Sequence, residues 1–448
     1  MKIKNIFKFL IFAFIAIQLG SCTNTDAEQK FDQTPTERLN AQKKELSDLL
    51  LTSQYGWKAV YFTDNTQLGG FTHLFKFSND GKVEMASDFD EDTDSYVSDY
   101  SVELSSTVSL LFSTKNRIHL LSDSNNFPTA ALEGKGYKGD FQFLYYGQEN
   151  GDIIFKTNRS FQELRFVKAT ADDWNNISEN IIMAENVVGG DERPLFRMLE
   201  TNDGTTKHQL DFVFDEAPRF ATANSVETGY NMSYNMGIAY TPTGITVSPA
   251  VVVKGQNLTN FVYNESDGSF TATGTGGVSA TIKYTNKPLI LTDDYKVLLD
   301  GNPFKVYGYI SPFLTNAPTT STLCKSLLNE INANLPANQQ LTRVQLYFNN
   351  GGYHYIEYRF SGGRPILYHN VTTSENAVDK TIVLTHDSWQ TATALIPAPA
   401  LLKKIDDELT NSKGLYVKRE NFKITYSNVI WTFTSANSNF RITTYALN

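Results

Sequence analysis

An acidic segment of seven residues, DFDEDTD, is the part of the sequence best suited to hold a cation. Aspartates stand at alternating positions of this segment and again at the twelfth position, as Asp88, Asp90, Asp92 and Asp99. Carboxylates spaced in this way can surround Ca²⁺, which binds about six to eight oxygen atoms. Thr93 stands where a calcium loop carries glycine, and an aspartate replaces the closing glutamate. The pattern favours a solvated hairpin tip, with calcium bound by these four carboxylates as the alternative.

The histidines and serines give little support to catalysis. The six histidines are scattered singly, and none has the spacing of a zinc-binding pair, although His73 and His119 fall in expected strands. His386 and Asp387 could join a catalytic triad, but the chain lacks the GxSxG motif that would place a serine nucleophile. Two carboxylates of a glycosidase cannot be chosen among 48 acids. We therefore expect a non-enzymatic protein, with a hydrolase of glycans or peptides as the alternative.

Aromatic side chains offer a second way to bind a ligand. Tyrosine and tryptophan are enriched at recognition surfaces, where their rings can stack on a flat partner such as a sugar. Aromatic residues at strand spacing are more often core than surface. The candidates for a binding platform are Tyr353, Tyr355, Trp389 and Trp431.

The first 22 residues have the pattern of an export signal. Three lysines precede an apolar stretch at residues 9–17, which is too short to cross a bilayer. The sequence LGSC follows and ends at Cys22, with the small residues that a lipoprotein signal peptidase needs next to the modified cysteine. We therefore predict a signal peptide at residues 1–21 and lipidation of Cys22, which would hold the mature chain on a membrane.

The charge and the cysteines exclude further classes of protein. The formal net charge of −9 becomes −12 when the three lysines of the signal peptide are removed. Because phosphate contacts need clustered positive charge, we expect no nucleic-acid partner. Cys324 is the one cysteine besides Cys22, so the chain cannot form an internal disulfide after lipidation. Cys324 lies in a helical pattern and is expected to be a buried apolar residue.

The apolar pattern predicts a mainly β protein with α+β character overall. Thirty Phe and 23 Tyr favour strands, and short alternating runs are separated by Asn-Gly or Asp-Gly turns. Such runs are typical of antiparallel β-sandwich or open-barrel units, here with an N-terminal helix and a C-terminal α+β domain. The predicted segments are a signal peptide (1–21), a flexible tether (22–33), a helix with a β domain (34–185), a second β domain (186–310) and the α+β domain (311–448). The two β domains could be diverged copies of one unit.

Several stretches resemble a known family. They are FDQTPTERL, YGWKAVYF, GGFTHLFKFSNDGKVEMASDFD, GYKGDFQFLYYGQENGDIIFK and PAVVVKGQNLTNFVYN. They are similar to Bacteroidota outer-membrane lipoproteins of unknown function, which share the helix-GW-strand start and a GDF-aromatic motif near residue 140. Gln142 departs from that pattern, because an acidic residue is expected there. The family supplies no catalytic residues to transfer.

The resemblance implies a location and partners for the chain. Such lipoproteins are found beside SusC/SusD-type uptake systems, which implies an outer-membrane protein at the cell surface. It also implies a TonB-dependent transporter complex as partner. Together with the lipid anchor, this favours an accessory protein that binds a glycan or peptide ligand, or a partner, for nutrient uptake. A structural or adhesive surface protein is a further alternative.

Overall fold

The computed structural model describes residues 34–104 and 107–447. The predicted signal peptide, Cys22 and the predicted tether lie outside the described residues. Among the helices in the described ranges, none is both long enough and apolar enough to cross a membrane.

The first unit is a helix followed by an eight-stranded antiparallel barrel. Helix α1 (Pro35–Leu50) begins with the predicted capping box, in which Thr34 and Glu37 each accept a hydrogen bond from the backbone N–H of the other. Strand β8 pairs with β1 and closes the barrel. The strands are β1 (Trp57–Phe62), β2 (Gly70–Phe77), β3 (Lys82–Ser87), β4 (Tyr96–Leu104), β5 (Val108–Phe112), β6 (Gln142–Glu149), β7 (Asp152–Thr157) and β8 (Glu163–Lys168).

Aromatic rings fill this first barrel. Successive side chains of a strand point to opposite faces, so the alternating pattern sends every second residue inward. Phe75 stacks on Phe166 with ring centroids 4.8 Å apart. Leu46 and Leu50 of α1 are buried in the same core, and the Trp57 indole donates a hydrogen bond of 2.9 Å to the Leu50 carbonyl. The helix is therefore part of the barrel core.

The second unit repeats this layout. A short helix, α2 (Ala171–Asn175), precedes α3 (Glu179–Val188), which packs Met183 and Val187 into the second barrel. The sequence assigns most of α3 to the first domain, but its apolar side chains pack with the second core. The strands are β9 (Phe196–Asp203), β10 (Lys207–Asp215), β11 (Phe220–Ser225), β12 (Ser233–Thr241), β13 (Gly244–Val253), β14 (Gln256–Asn264), β15 (Ser269–Thr273) and β16 (Val278–Thr285).

The third unit is a nine-stranded antiparallel sheet that packs against two helices, Thr322–Ala333 and Lys403–Leu409. Its strands follow the order β20-β19-β18-β17-β25-β24-β23-β21-β22, and β20 also pairs with β21. The strands are β17 (Lys305–Ile310), β18 (Leu341–Asn350), β19 (Tyr353–Phe360), β20 (Leu367–Asn376), β21 (Thr381–Gln390), β22 (Leu395–Ile396), β23 (Leu415–Arg419), β24 (Ile430–Ser435) and β25 (Arg441–Ala446). The helices are α4 (Ser311–Leu314), α5 (Thr322–Ala333) and α6 (Lys403–Leu409).

The predicted fold class is confirmed, since antiparallel sheets with few helices make up the described chain. The first two sheets are closed barrels rather than sandwiches or open barrels. Strand β17, which falls in the predicted second domain, instead pairs with β18 and β25 of the third unit. Cys324 is buried in the core of that unit, where burial raises the pKa of its thiol.

Candidate functional site

Asp88 of the predicted calcium loop is a buried contact between the two barrels. Its side chain is fully buried, and its Oδ1 accepts hydrogen bonds from the Thr72 backbone N–H at 2.9 Å and from Arg219 at 3.1 Å. Its Oδ2 accepts one from the Asn180 amide at 2.8 Å. The Arg219 guanidinium also lies 4.1 Å from the centre of the Phe71 ring, as a cation–π contact. Asp88 therefore joins two units of the fold.

The other aspartates of that loop pair with different cations. Arg117 bonds to Asp90 and reaches Asp92 at 3.4 Å, whereas Asp99 pairs with Lys82. Across residues 34–104 and 107–447, no three His, Cys, Asp or Glu side chains form a group that could hold a metal ion. The geometry thus gives these aspartates no shared oxygen cage, and calcium binding by them stays a sequence-based prediction.

One end of the first barrel holds a cavity of about 510 Å³. Its lining comes from three connections at that end, which join β1 to β2, β5 to β6 and β7 to β8. The mouths of barrels are common places for small-molecule sites. The lining residues are Thr63, Asp64, Ser122, Ser124, Gly134, Lys135, Lys138, Arg159, Ser160 and Gln162. We call this cavity the barrel-mouth pocket.

Three cations and one acid line the barrel-mouth pocket. Lys138 donates a hydrogen bond of 2.8 Å to Asp64, and Arg159 lies 3.3 Å from the Asp140 carboxylate behind the lining. Lys135 is exposed and makes no ion pair with any residue that the structure describes. Burial alone would raise the pKa of Asp64, but hydrogen bonds from Lys138 and from its own turn lower this pKa to about 2. The pocket is therefore locally cationic in an acidic protein.

The GDF-aromatic motif shapes one wall of this pocket. Gly136 has a φ of +59°, and a Cβ there would lie 2.3 Å from the Asp123 carbonyl oxygen. A Cβ on Gly139 would lie 2.4 Å from the Leu121 Cβ, so this segment accepts only glycine at both positions without rearrangement. Asp140 accepts a hydrogen bond from the Arg159 backbone N–H at 2.9 Å. The motif therefore fixes the loop that carries the pocket lysines.

A second cavity, of about 660 Å³, lies in the third unit. It sits beside the hairpin that joins β18 to β19 and extends over β20 and β21. We call it the sheet cleft. Its lining combines carboxylate, amide, hydroxyl and aromatic groups and has no lysine or arginine. The lining residues are Asp300, Asn350, Gly352, Tyr353, His354, Tyr355, Asn370, Val371, Thr372, Asp387 and Gln390.

Two of the four predicted platform residues lie in the sheet cleft. Tyr353 is 73% exposed, and Tyr355 stacks on Tyr347 with ring centroids 4.5 Å apart. The Asn350 amide donates a hydrogen bond of 2.7 Å to the Tyr355 hydroxyl. The other two differ: Trp389 is buried, and Trp431 packs half-buried at the core of the sheet. The platform prediction therefore has a structural counterpart at two positions.

His354 adds an unpartnered nitrogen to the sheet cleft. Its side chain is 5% exposed, and its Nε2 is hydrogen-bonded to the Asp300 carboxylate. Its Nδ1 is buried and has no hydrogen-bond partner. A buried polar atom without a partner is costly, and such atoms are often completed by a ligand or water.

A chain of polar side chains runs through the third unit from its core to its surface. Asp406 Oδ1 accepts a hydrogen bond of 2.8 Å from the Tyr358 hydroxyl and lies 2.7 Å from His369 Nδ1. His369 Nε2 lies 2.7 Å from Nδ1 of His386, which is exposed. Sequence reasoning missed Asp406 and His369, because nothing in their spacing indicates that α6 packs beside β20.

A bulge explains why His386 joins this chain. The pairing of β20 with β21 shifts from Asn370–Ser388 to Val371–His386, which leaves Asp387 as an extra residue. Asp387 instead accepts a hydrogen bond from Ser388 at 3.0 Å, so the structure does not bring it together with His386 as the triad idea requires. Within the described residues, no hydroxyl or thiol group is hydrogen-bonded to His386.

The two histidines assigned to strands have different settings. His73 is fully buried in β2, and burial lowers its pKa to about 3, so the ring is neutral. His119 lies in a 3₁₀-helix (Arg117–Leu121) rather than in a strand, because Asn116 caps that turn and the ring stacks on Phe141.

The fold and the two cavities define an antiparallel β protein with two closed barrels and a third, helix-packed sheet. Residues 27–265 match the model of a family described as a domain of unknown function (DUF4302). This match covers more than half of the chain, which therefore belongs to that family. The matched region includes the barrel-mouth pocket and ends before the sheet cleft.

Comparisons with individual proteins add little. No curated protein matches the chain. Among solved structures, the DNA polymerase sliding clamp from Bacillus subtilis aligns with 91% of this chain and 97% of that chain, at 9% sequence identity. Its TM-score of 0.17 is too low to carry an argument about fold or function.

Proposed function

We propose that this chain is a lipid-anchored, non-enzymatic binding protein that holds a neutral carbohydrate in the sheet cleft. The single observation that carries the proposal is the lining of that cleft by Tyr353, Tyr355 and a group of amide and carboxylate side chains. An aromatic face can pack on the C–H face of a sugar ring, and planar polar groups can donate to and accept from its hydroxyls. Both kinds of group are present in one open cleft.

The setting of the cleft supports a preformed site. Tyr355 is fixed by its stacking on Tyr347 and by the hydrogen bond from Asn350, so its ring loses little freedom when a ligand binds. Asn370 donates a hydrogen bond of 3.0 Å to Ser388, which orients its amide in the same way.

The location and partners belong to the same proposal. The LGSC motif at Cys22 supports a lipid anchor, and the resemblance to outer-membrane lipoproteins supports a place beside a TonB-dependent transporter. An anchored binding protein raises the local concentration of ligand next to the transporter. Protease treatment of intact cells and co-purification from solubilised outer membrane test this part. Protection from protease, with no transporter recovered, would remove the surface-uptake role.

Carbohydrate binding is tested with an array of neutral oligosaccharides and the purified full chain. We expect binding to at least one glycan, weakened about fivefold by Tyr353→Ala, because loss of a stacked ring costs about 1 kcal/mol. Tyr146→Ala is the matched control, since Tyr146 is an exposed tyrosine of the first barrel. Failure to bind any neutral glycan, or equal weakening by both variants, would contradict the proposal.

A glycoside hydrolase is the second candidate function, favoured by one observation. Asp300 and Asp387 both line the sheet cleft, and paired carboxylates are what glycoside hydrolysis requires. Incubating the full chain with any glycan that it binds and measuring new reducing ends separates the two functions. Formation of new reducing ends that Asp387→Asn abolishes would show that the protein is a hydrolase. If no reducing ends form, the binding function stands.

A further inference from the structure

The geometry points to a second ligand site in this chain: the barrel-mouth pocket binds a small hydroxylated anion of the sugar-acid or sugar-phosphate class. This inference does not rest on the sheet cleft, which lies in another unit and has the opposite charge. The positive side chains of the barrel-mouth pocket are Lys135, Lys138 and Arg159, and its one lining carboxylate is Asp64.

Asp64 offsets only one of the three positive charges of the lining, and its oxygens are already engaged in hydrogen bonds. Its Oδ1 accepts hydrogen bonds from the Thr66 hydroxyl at 2.6 Å and from the Thr66 backbone N–H at 3.2 Å. Its Oδ2 accepts from Gln67 at 2.7 Å and from Lys138 at 2.8 Å. Asp64 thus positions Lys138, whose ammonium has three N–H donors and keeps others for a ligand. The Lys135 ammonium has no hydrogen-bond or ion-pair partner among the described residues.

An unpartnered hydroxyl independently indicates a ligand. Thr63 lines the pocket, is only 3% exposed, and its Oγ1 has no hydrogen-bond partner. Buried hydroxyls in native proteins normally have a partner, so this one is incomplete without a further polar group. An oxygen of a ligand in the pocket would supply that partner.

The remaining lining groups favour a ligand that carries hydroxyls as well as an anionic group. They are side chains that can each donate and accept hydrogen bonds: Ser122, Ser124, Ser160 and Gln162. A bare phosphate ion has only acceptor oxygens to offer apart from its own protons, whereas a sugar acid or sugar phosphate offers several donors too. The volume of about 510 Å³ is within the range of small-molecule sites and exceeds what an inorganic ion needs.

The test is isothermal titration of the full chain with glucuronate, glucose 6-phosphate, inorganic phosphate and glucose. We expect glucuronate or glucose 6-phosphate to bind at least about tenfold tighter than both glucose and inorganic phosphate. The tighter of the two identifies a carboxylate or a phosphate as the anionic group. Binding of both no tighter than glucose would overturn the site, and equal binding of inorganic phosphate would overturn the hydroxylated ligand.

Two variants connect that binding to this pocket. Lys135→Gln should weaken ligand binding about fivefold, because one charge contact with the anion is lost. Lys76→Gln is the control: it removes an exposed lysine at the other end of the barrel and should leave the affinity unchanged. Thr63→Val should also weaken binding about fivefold and leave the unliganded fold as stable as before, because its hydroxyl bonds to nothing there. Unchanged affinity in both pocket variants would overturn the assignment.

Discussion

In the first barrel the connection between β5 and β6 runs over residues 113–141, whereas the longest connection within the second barrel covers residues 226–232. Both barrels have eight strands in sequential order, and each core takes in side chains of the preceding helix. All residues that line the barrel-mouth pocket lie in connections, and none lies in a strand. The comparison teaches that the barrel is a scaffold, and that the long connection supplies half of the lining of the pocket at its mouth.

The barrels also differ in their closure and in their role in the assembly. Strands β1 and β8 close the first barrel through two residue pairs, while β16 and β9 close the second through eight. The second barrel uses a short connection, which carries Arg219, to dock on the first. One barrel thus presents one long and two short connections around a cavity, and the other presents a short connection that binds its neighbour.

The largest expected effect comes from breaking the contact between the barrels. Asp88→Asn removes the carboxylate that faces the buried guanidinium of Arg219, and an uncompensated buried charge costs about 3–5 kcal/mol. We expect this loss in the free energy of unfolding measured by urea titration. Asp99→Asn is the control, because its ion pair with Lys82 is exposed and screened by solvent, so its loss should change the stability far less. Equal effects of the two variants would show that Asp88 does not hold the barrels together.

A smaller effect is expected where the second barrel holds its helix. The Tyr284 hydroxyl lies 2.8 Å from the carbonyl oxygens of Asn186 and Val187, at the C-terminal end of α3. Tyr284→Phe removes this donor, so the free energy of unfolding should fall by about 1 kcal/mol in the same titration. Tyr146→Phe is the control, since Tyr146 is exposed. No change in Tyr284→Phe would mean that this hydroxyl does not help to hold α3 in the second barrel.

The strands of the first barrel could be predicted because their signals are local. In the runs at β1 and β3, every second residue is apolar and belongs to the barrel core, as Trp57, Ala59, Tyr61, Val83 and Met85 do. Asn150 and Gly151 both have positive φ, as the Asn-Gly turn predicts. Neither α2 nor α3 is predicted from the sequence, because α2 has only five residues and the short apolar runs of α3 read equally well as a buried strand.

The sites could not be predicted, because their residues meet only through long-range packing. Asp88 and Arg219 are 131 positions apart, and the calcium pattern around Asp88 carries no sign of that partner. His369 and Asp406 come together only because α6 packs on the sheet. Of the platform residues, Tyr353 and Trp389 have similar patterns in sequence, yet one is exposed and the other is buried. Alternation along a strand shows which residues share a face, but it does not show which of the two faces the core covers.

The smallest expected effect is a change of pKa at one of two aspartates, Asp64 and Asp203, which both have a pKa of about 2. Asp203, in the turn between β9 and β10 of the second barrel, owes this low pKa to hydrogen bonds from Thr206 and Thr205 in its own turn. Burial raises the pKa of Asp64, so its low pKa depends on hydrogen bonds from Lys138, which lies in another loop, and from its own turn. In Lys138→Gln, carboxyl-carbon NMR titration should show the pKa of Asp64 rising towards 3.8 while that of Asp203 stays at about 2.

The sign of the linked stability follows from these lowered values. A carboxyl group whose pKa is lower in the folded than in the unfolded chain stabilises the fold above the unfolded value of 3.8, and this contribution is lost as the pH falls towards about 2. Lys138→Gln should therefore reduce the part of the acid dependence that Asp64 supplies and leave the part from Asp203. If the pKa of Asp64 also stayed at about 2, its own turn would suffice. Lys138 would then add nothing to the low pKa of Asp64, and both aspartates would owe their low values to their own turns.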